Sequence, residues 1–152
     1  MNNVEINMEG IENPPWLEET EPFIHEVLKK LKKQNWNISV LLCNNTIIRS
    51  YNKQFRKRDE PTDVLSFTMG ETDGKHFYPG DIVISLEMAE ENARYFAVSP
   101  GEELQRLLIH GILHLAGMNH VSNDKEEPML VLQEKLLKQI NRKMVSIHKE
   151  HR

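Results

Sequence analysis

The sequence of 152 residues contains a single cysteine, Cys43, so no disulfide can form within the chain. Cys43 lies in the apolar run ISVLLC, where a buried and inert thiol is the expectation. No apolar stretch approaches the roughly 20 residues that are needed to span a bilayer. The first residues, MNNVEINMEG, lack the basic and apolar segments of a secretory signal. These absences predict a cytoplasmic protein that has no membrane partner.

Basic residues are not in excess. Lys and Arg number 19 against 23 Asp and Glu, which gives a net charge of −4. This balance argues against a protein that binds nucleic acid by bulk electrostatic attraction. Aromatic residues are also few, at 7%, so the stacking surfaces typical of strong single-strand binders are sparse. The chain does contain 39% hydrophobic and 28% charged residues, a composition typical of a globular domain that buries a core.

Four short segments have the pattern of strands. VEINM alternates apolar and polar residues, and the runs ISVLLC, TDVLSFTM and DIVIS are rich in apolar or β-branched residues. Residues 71–80 contain the turn signals Asp-Gly and Pro-Gly and are expected to form a loop. The chain shows no repeat and no long linker, which predicts one domain over residues 1–152.

Helical spacing of apolar residues accounts for most of the remaining chain. Ser99, followed by Pro100 and two glutamates, predicts a helix start, and Gly117 predicts the end of the same helix. The fold class is therefore predicted as α+β, with a roughly four-stranded mixed sheet and about five helices. The other helices are expected over residues 17–34, after Asn44-Asn45, over 86–96 and over 124–145.

Three histidines lie close together in the segment HGILHLAGMNH. His110 and His114 are four residues apart, so on a helix they project from one face and can reach one metal ion. Gly117 can adopt a left-handed conformation that turns the chain and brings His120 back towards them. Catalytic zinc sites use three protein ligands and keep one position open, whereas structural sites use four. The sequence therefore predicts one catalytic zinc ion bound by His110, His114 and His120.

The same histidine spacing occurs in metzincin proteases, whose motif is H-E-x-x-H-x-x-G-x-x-H. In that motif the glutamate after the first histidine is the general base. Gly111 occupies this position here and has no side chain that could accept a proton. Peptide hydrolysis by the metzincin mechanism is therefore disfavoured, and a metalloprotease-like hydrolase is kept as an alternative.

A second family matches more of the sequence. HGILHLAGMNH closely resembles the H-G-x-L-H-L-x-G-x-D-H signature of the YbeY family, bacterial single-strand endoribonucleases linked to ribosomal RNA maturation. NKQFRKRDEPTDVLSF resembles the second family signature, an arginine followed by P-T-[DN]-V-L-S-F, and PGDIVIS resembles the third, G-D-I-x-I-S. With Asp124, the similarity covers most of the chain from Asn52 onward. One departure is Asn119, where the family usually has aspartate, and it puts an acid/base role at that position in doubt.

The resemblance implies a zinc-dependent, single-strand-specific endoribonuclease that acts in ribosomal RNA maturation, at the 3′ end of 16S RNA, and in ribosome quality control. The implied partners are single-stranded or ribosomal RNA and the ribosome or its proteins. Arg56 and His110 are the expected catalytic residues. Arg56 matches the family arginine and would neutralise charge on the phosphoryl oxygens. The neighbouring Lys53, Lys57 and Arg58 are candidates for guiding the RNA backbone, without individual assignments.

Several alternatives stay open at this point. Asp63 and Asp81 lie in the second and third signatures, and either can hydrogen-bond the second ring nitrogen of a zinc ligand. Turn or strand-edge capping is the preferred interpretation of both. The attacking group is water or the 2′-hydroxyl of the RNA, and attack by water is the hypothesis. A non-catalytic, zinc-stabilised module that associates with the ribosome is the alternative to an enzyme.

Overall fold

A single mixed sheet organises residues 1–140, the part of the chain that a computed structural model describes. The strand order is β1-β2-β4-β3. β2 pairs in parallel with β1 and with β4, whereas β3 pairs antiparallel to β4. The predicted four-stranded mixed sheet is therefore confirmed. Its strands are β1 (Asn3–Met8), β2 (Trp36–Cys43), β3 (Val64–Asp73) and β4 (His76–Ser85).

Five α-helices accompany the sheet in the described residues, which confirms the predicted α+β class. None of these helices is long and apolar enough to cross a bilayer. The predicted end of the last helix at Val145 lies outside the described residues, and the single domain over 1–152 stays a prediction. The helices are α1 (Thr20–Lys30), α2 (Asn45–Arg56), α3 (Leu86–Phe96), α4 (Pro100–Leu115) and α5 (Pro128–Ile140).

Residues 71–80 form the end of a β-hairpin, so the predicted loop is wrong. β3 continues to Asp73, the chain turns at Gly74 and Lys75, and β4 begins at His76. The Asp-Gly signal in the sequence did predict the turn. Gly74 there has a φ of 60°, a left-handed conformation that favours glycine. The residues before the turn are polar and exposed. No apolar alternation therefore marked the strand, which is held by backbone pairing to β4.

Two helix boundaries also differ from the prediction. The expected helix over residues 17–34 is a short 3-10 turn followed by α1, which ends at Lys30. Lys32 and Asn35 have φ values of 58° and 60°, which a continuing α-helix excludes. α5 begins at Pro128, later than the expected Asp124, because proline suits the first turn of a helix and disrupts its interior.

Apolar side chains cover both faces of the sheet. Val40 and Leu42 of β2 belong to the larger core, which β4 and the helices α1, α4 and α5 complete. Leu41 and Cys43 point to the opposite face, because side chains alternate along a strand, and there they meet α2. The predicted burial of Cys43 is confirmed. Burial raises the pKa of its thiol to about 12, so little reactive thiolate forms at neutral pH.

Helix α4 carries the candidate site at its C-terminal end. It begins as predicted, since the Ser99 hydroxyl accepts a hydrogen bond from the Glu102 backbone N–H at 3.1 Å and Pro100 follows. Most of the helix is buried between the sheet and α5. This burial fixes the axis of α4, and therefore the direction in which its last turn presents side chains.

Candidate metal centre

The last turns of α4 present His110 and His114 side by side. Both rings are half-buried, whereas the three residues between them are buried in the core. The two Nε2 atoms lie 3.1 Å apart. This closeness follows from the four-residue spacing, which places both side chains on one helix face.

The chain turns back immediately after α4. Gly117 adopts a left-handed φ of 93°, and its N–H donates to the His114 carbonyl at 3.0 Å. The next N–H, of Met118, donates to the Leu113 carbonyl at 3.0 Å. These bonds satisfy carbonyls that a helix end would otherwise leave unpaired. The turn brings the His120 ring centroid to 5.2 Å from that of His110 and 5.6 Å from that of His114.

The three predicted ligands are thereby brought together in a geometry that fits a metal ion. One ring nitrogen from each histidine lies within 4.8 Å of the other two. A tetrahedral zinc ion with Zn–N bonds of about 2.0–2.1 Å separates its ligand nitrogens by about 3.3 Å. The Nδ1 atom of His110 lies 2.8 Å from Gln133 Oε1, and that of His120 lies 2.8 Å from the Ser122 carbonyl. Their Nε2 atoms are therefore the ones left to coordinate the ion.

Burial favours the neutral form of His110 and His114. Burial is the main reason that the pKa of His110 is lowered, and the charge of His120 lowers this pKa further. Burial also lowers the pKa of His114, followed by the charges of the two other histidines. Hydrogen bonds that the Met118 backbone and the Asn119 side chain accept act in the opposite direction on His114. Neutral imidazole is the form that can coordinate a metal ion, and Asn119, at the position of the family aspartate, contacts His114 through an uncharged group.

Arg56 lies in the same cleft as the histidines. The cleft has a volume of about 330 Å³, and its lining includes Arg56, Ser66, His110, His114 and Asn119. Arg56 is the last residue of α2, and its Nη2 donates to the Ser66 carbonyl at 2.7 Å. Its guanidinium carbon lies 5.2 Å from the centre of the Phe67 ring. An exposed cation is thus held beside the edge strand β3, in the cleft that His110 and His114 also line.

The three other basic residues of this segment surround the end of α2. Lys53 lies 3.9 Å from Asp59, and Arg58 lies 3.9 Å from Glu60; all four side chains are largely exposed. Lys57 adopts a left-handed φ of 58° that ends the helix. Exposed pairs of this kind contribute little to stability. These lysine and arginine side chains remain without an individual role.

Asp63 makes its hydrogen bonds away from the histidine cluster, although its charge acts to raise the pKa of His110. It accepts hydrogen bonds from the Val64 N–H at 2.7 Å and from Asn92 at 3.0 Å. This agrees with the capping interpretation.

Asp81 lies on the sheet face opposite α4, in a groove that also contains Phe67. Burial, and secondly the charge of Glu5, raise the pKa of Asp81.

The second ring nitrogen of His110 is hydrogen-bonded by Gln133 and not by either aspartate. The sequence did not lead us to predict this role of Gln133. The available signal was a polar residue in the apolar stripe of α5, among Met129, Leu136 and Leu137.

The comparisons with known proteins point to one family. A family model described as Endoribonuclease YbeY matches residues 3–141. The Endoribonuclease YbeY of Treponema denticola is 52% identical over 124 residues, covering 78% of this chain and 80% of the relative. That of Borrelia turicatae is 46% identical over 143 residues, covering 91% and 96%. The solution structure of TM1509 from Thermotoga maritima superposes with a TM-score of 0.68 at 35% identity, covering 94% of this chain and 92% of the other.

The fold and the histidine cluster together define a class of α+β proteins with a three-histidine site able to hold a metal ion. Within this class, the chain belongs to the YbeY endoribonuclease family. This membership places it among the endoribonucleases, hydrolases that cleave RNA internally. It also favours RNA over peptides as the substrate, in agreement with Gly111 at the position of the protease glutamate.

Proposed function

We propose that the protein is a zinc-dependent endoribonuclease specific for single-stranded RNA. In this proposal it acts in the cytoplasm on ribosomal RNA, in maturation of the 16S 3′ end and in ribosome quality control, in association with the ribosome or its proteins. The observation that carries the proposal is the juxtaposition of Arg56 with His110 and His114 in one cleft. Family membership supplies the RNA substrate.

The proposed metal ligands are His110, His114 and His120. A zinc ion held there would make a hydroxide nucleophile available near pH 7 and would polarise a phosphoryl oxygen. The histidines would bind the ion and fix its position. Two of them are half-buried on helix α4, and the third follows the turn at Gly117. His110 has the additional bond to Gln133 that sets its ring orientation.

Arg56 would act on the substrate directly. A phosphodiester gains negative charge on its non-bridging oxygens during cleavage, and a guanidinium offers several N–H donors in a rigid fork. The bond to the Ser66 carbonyl and the Phe67 ring hold this group in place before the RNA arrives. A cleft of about 330 Å³ is at the small end of ligand sites, about 300–1,000 Å³.

The experiment that tests the proposal compares substrates and metal states of the wild-type protein. Protein stripped by a chelator and reloaded with zinc is offered single-stranded RNA, the matching duplex and casein. We expect cleavage of the single strand alone, lost on stripping and restored by zinc. Attack by water predicts products without a 2′,3′-cyclic phosphate, and cyclic ends would show that the 2′-hydroxyl attacks. Tight zinc binding without any cleavage would instead support the non-catalytic ribosome-associated module.

Replacement of Arg56 separates its proposed role from metal binding. Arg56→Ala should lower kcat on single-stranded RNA by about 100- to 1,000-fold, the effect typical of one lost charge-stabilising donor. Zinc content should stay at the wild-type level, and Arg56→Lys should restore part of kcat. Arg49→Ala is the matched control, because Arg49 is an exposed arginine of the same helix that is paired with Asp59. Equal kcat for Arg56→Ala and Arg49→Ala would contradict the assignment.

A further inference from the structure

Helix α5 contains a polar side chain where its apolar stripe should continue. Gln133 is only 6% exposed, and its neighbours on the same helix face, Met129 and Leu136, are core residues. Its Oε1 lies 2.8 Å from His110 Nδ1. A buried amide costs free energy unless it is fully hydrogen-bonded. The position of Gln133 therefore calls for a reason other than packing.

The orientation of the Gln133 amide is fixed by its second partner. Its Nε2 donates to Glu134 Oε2 at 3.1 Å. An ionised carboxylate can only accept hydrogen bonds, so the amide nitrogen must face Glu134 and the amide oxygen must face His110. A flipped amide would place its N–H₂ group against His110 and its oxygen against the carboxylate.

The carboxylate of Glu134 is itself held in its ionised form. Arg106 of α4 donates to both of its oxygens, through Nε at 3.0 Å and Nη2 at 3.1 Å. Burial alone would raise the pKa of Glu134, but the hydrogen bonds from Arg106 and Gln133 outweigh it and hold the pKa below its usual range. Arg106 also donates to the buried Glu103 at 2.8 Å. The chain of bonds therefore runs without a gap from Arg106 through Glu134 and Gln133 to His110.

We propose that Gln133 is a positioning residue of the metal centre, which selects the His110 tautomer protonated at Nδ1 and so leaves Nε2 free for the ion. The proposal rests on the proposed function in that His110 is a metal ligand. Because Oε1 accepts, the Nδ1 atom must carry the proton, and the lone pair of Nε2 then points towards His114, 3.1 Å away. The other tautomer would place a proton where the metal binds. Arg106 and Glu134 act through Gln133 and do not touch the ion.

The test measures the tautomer and the zinc affinity of folded protein, without using RNA cleavage. Long-range ¹H–¹⁵N correlation of metal-free protein should show His110 protonated at Nδ1 in the wild type and a tautomer mixture in Gln133→Leu. Zinc titration against a competing chelator should show about 10- to 100-fold weaker binding for Gln133→Leu, the usual effect of losing an outer partner of a ligand. Gln133→Glu keeps an acceptor oxygen towards Nδ1 and should therefore retain the His110 tautomer that is protonated at Nδ1.

Gln139→Leu is the matched control, since Gln139 is exposed on the same helix, and it should behave as the wild type. If Gln133→Leu does not fold, Glu134→Gln is measured instead: it releases the amide to flip and should give the same tautomer mixture. Unchanged tautomer and affinity in the folded variant would overturn the proposal, as would His110 protonated at Nε2 in the wild type. If wild-type protein does not bind zinc, the proposed function fails, whereas zinc binding that ignores Gln133 overturns this inference alone.

Discussion

Replacing His114 by alanine should abolish zinc retention and RNA cleavage together. Two imidazoles from His110 and His120 would remain, and a catalytic zinc site needs three protein ligands. We expect bound zinc to fall from about one ion per chain to less than about a tenth after dialysis, measured by elemental analysis. Cleavage of single-stranded RNA should fall to background in the same samples.

The control for this substitution is His76→Ala. His76 is exposed at the start of β4 and lies outside the histidine cluster, so zinc content and cleavage should both be retained. Thermal unfolding of the metal-free proteins should show that His114→Ala is folded, because a half-buried ring at the helix end contributes little to the core. Full cleavage by a His114→Ala protein verified as metal-free would refute the metal-dependent mechanism.

Substitution of Gly111 should have the largest effect on stability. A Cβ at this position would lie 2.9 Å from Cδ1 and from Cγ2 of Ile82 on β4. Gly111→Ala should therefore lower the free energy of unfolding by about 1–3 kcal/mol, the usual cost of overpacking a core. Gly111→Glu adds a carboxyl group between helix and sheet, which costs several kcal/mol more. This loss is a large share of the roughly 5–15 kcal/mol that stabilises a domain.

A double-mutant cycle tests whether the contact with Ile82 is the cause. Urea unfolding of Gly111→Ala, Ile82→Ala and the pair should give a combined loss smaller than the sum, because shortening Ile82 makes room for the new methyl group. Strict additivity would contradict the packing argument. Gly111→Glu should also gain no activity on casein, even though it recreates the protease motif. Helix α4 lies too close to β4 for a glutamate at this position.

The sequence predicted what local spacing determines. The histidines at i and i+4, the glycine turn and the third histidine lie in one segment, so their meeting depends on a single helix and its end. Strands and helices with clear apolar periodicity were also predicted. The chain carries no local signal for how far α2 lies from α4, so the approach of Arg56 to the histidines was implied only by the family resemblance.

What was missed depends on contacts between distant segments. Gln133 meets His110 only because α5 packs on α4, and periodicity cannot specify that register. The outer half of β3 has exposed and mostly polar side chains and pairs with β4 through its backbone. Patterns of apolar residues therefore could not predict this part of the strand. The pairing in both cases is a tertiary effect that overrides local preference.

The three histidines and the cation that lines the same cleft come from different parts of the chain. All three histidines lie within residues 110–120. Arg56 lies at the end of α2 and lines the cleft beside the edge strand β3. Zinc binding would therefore depend on the end of α4, the turn that follows it and the contact of His110 with α5, but not on the packing of α2. The measured metal content would then include molecules in which α2 has not yet packed. Turnover, in contrast, requires Arg56 and the histidines in one cleft. The ratio of turnover to bound zinc thus becomes a measure of native assembly in any preparation of this protein.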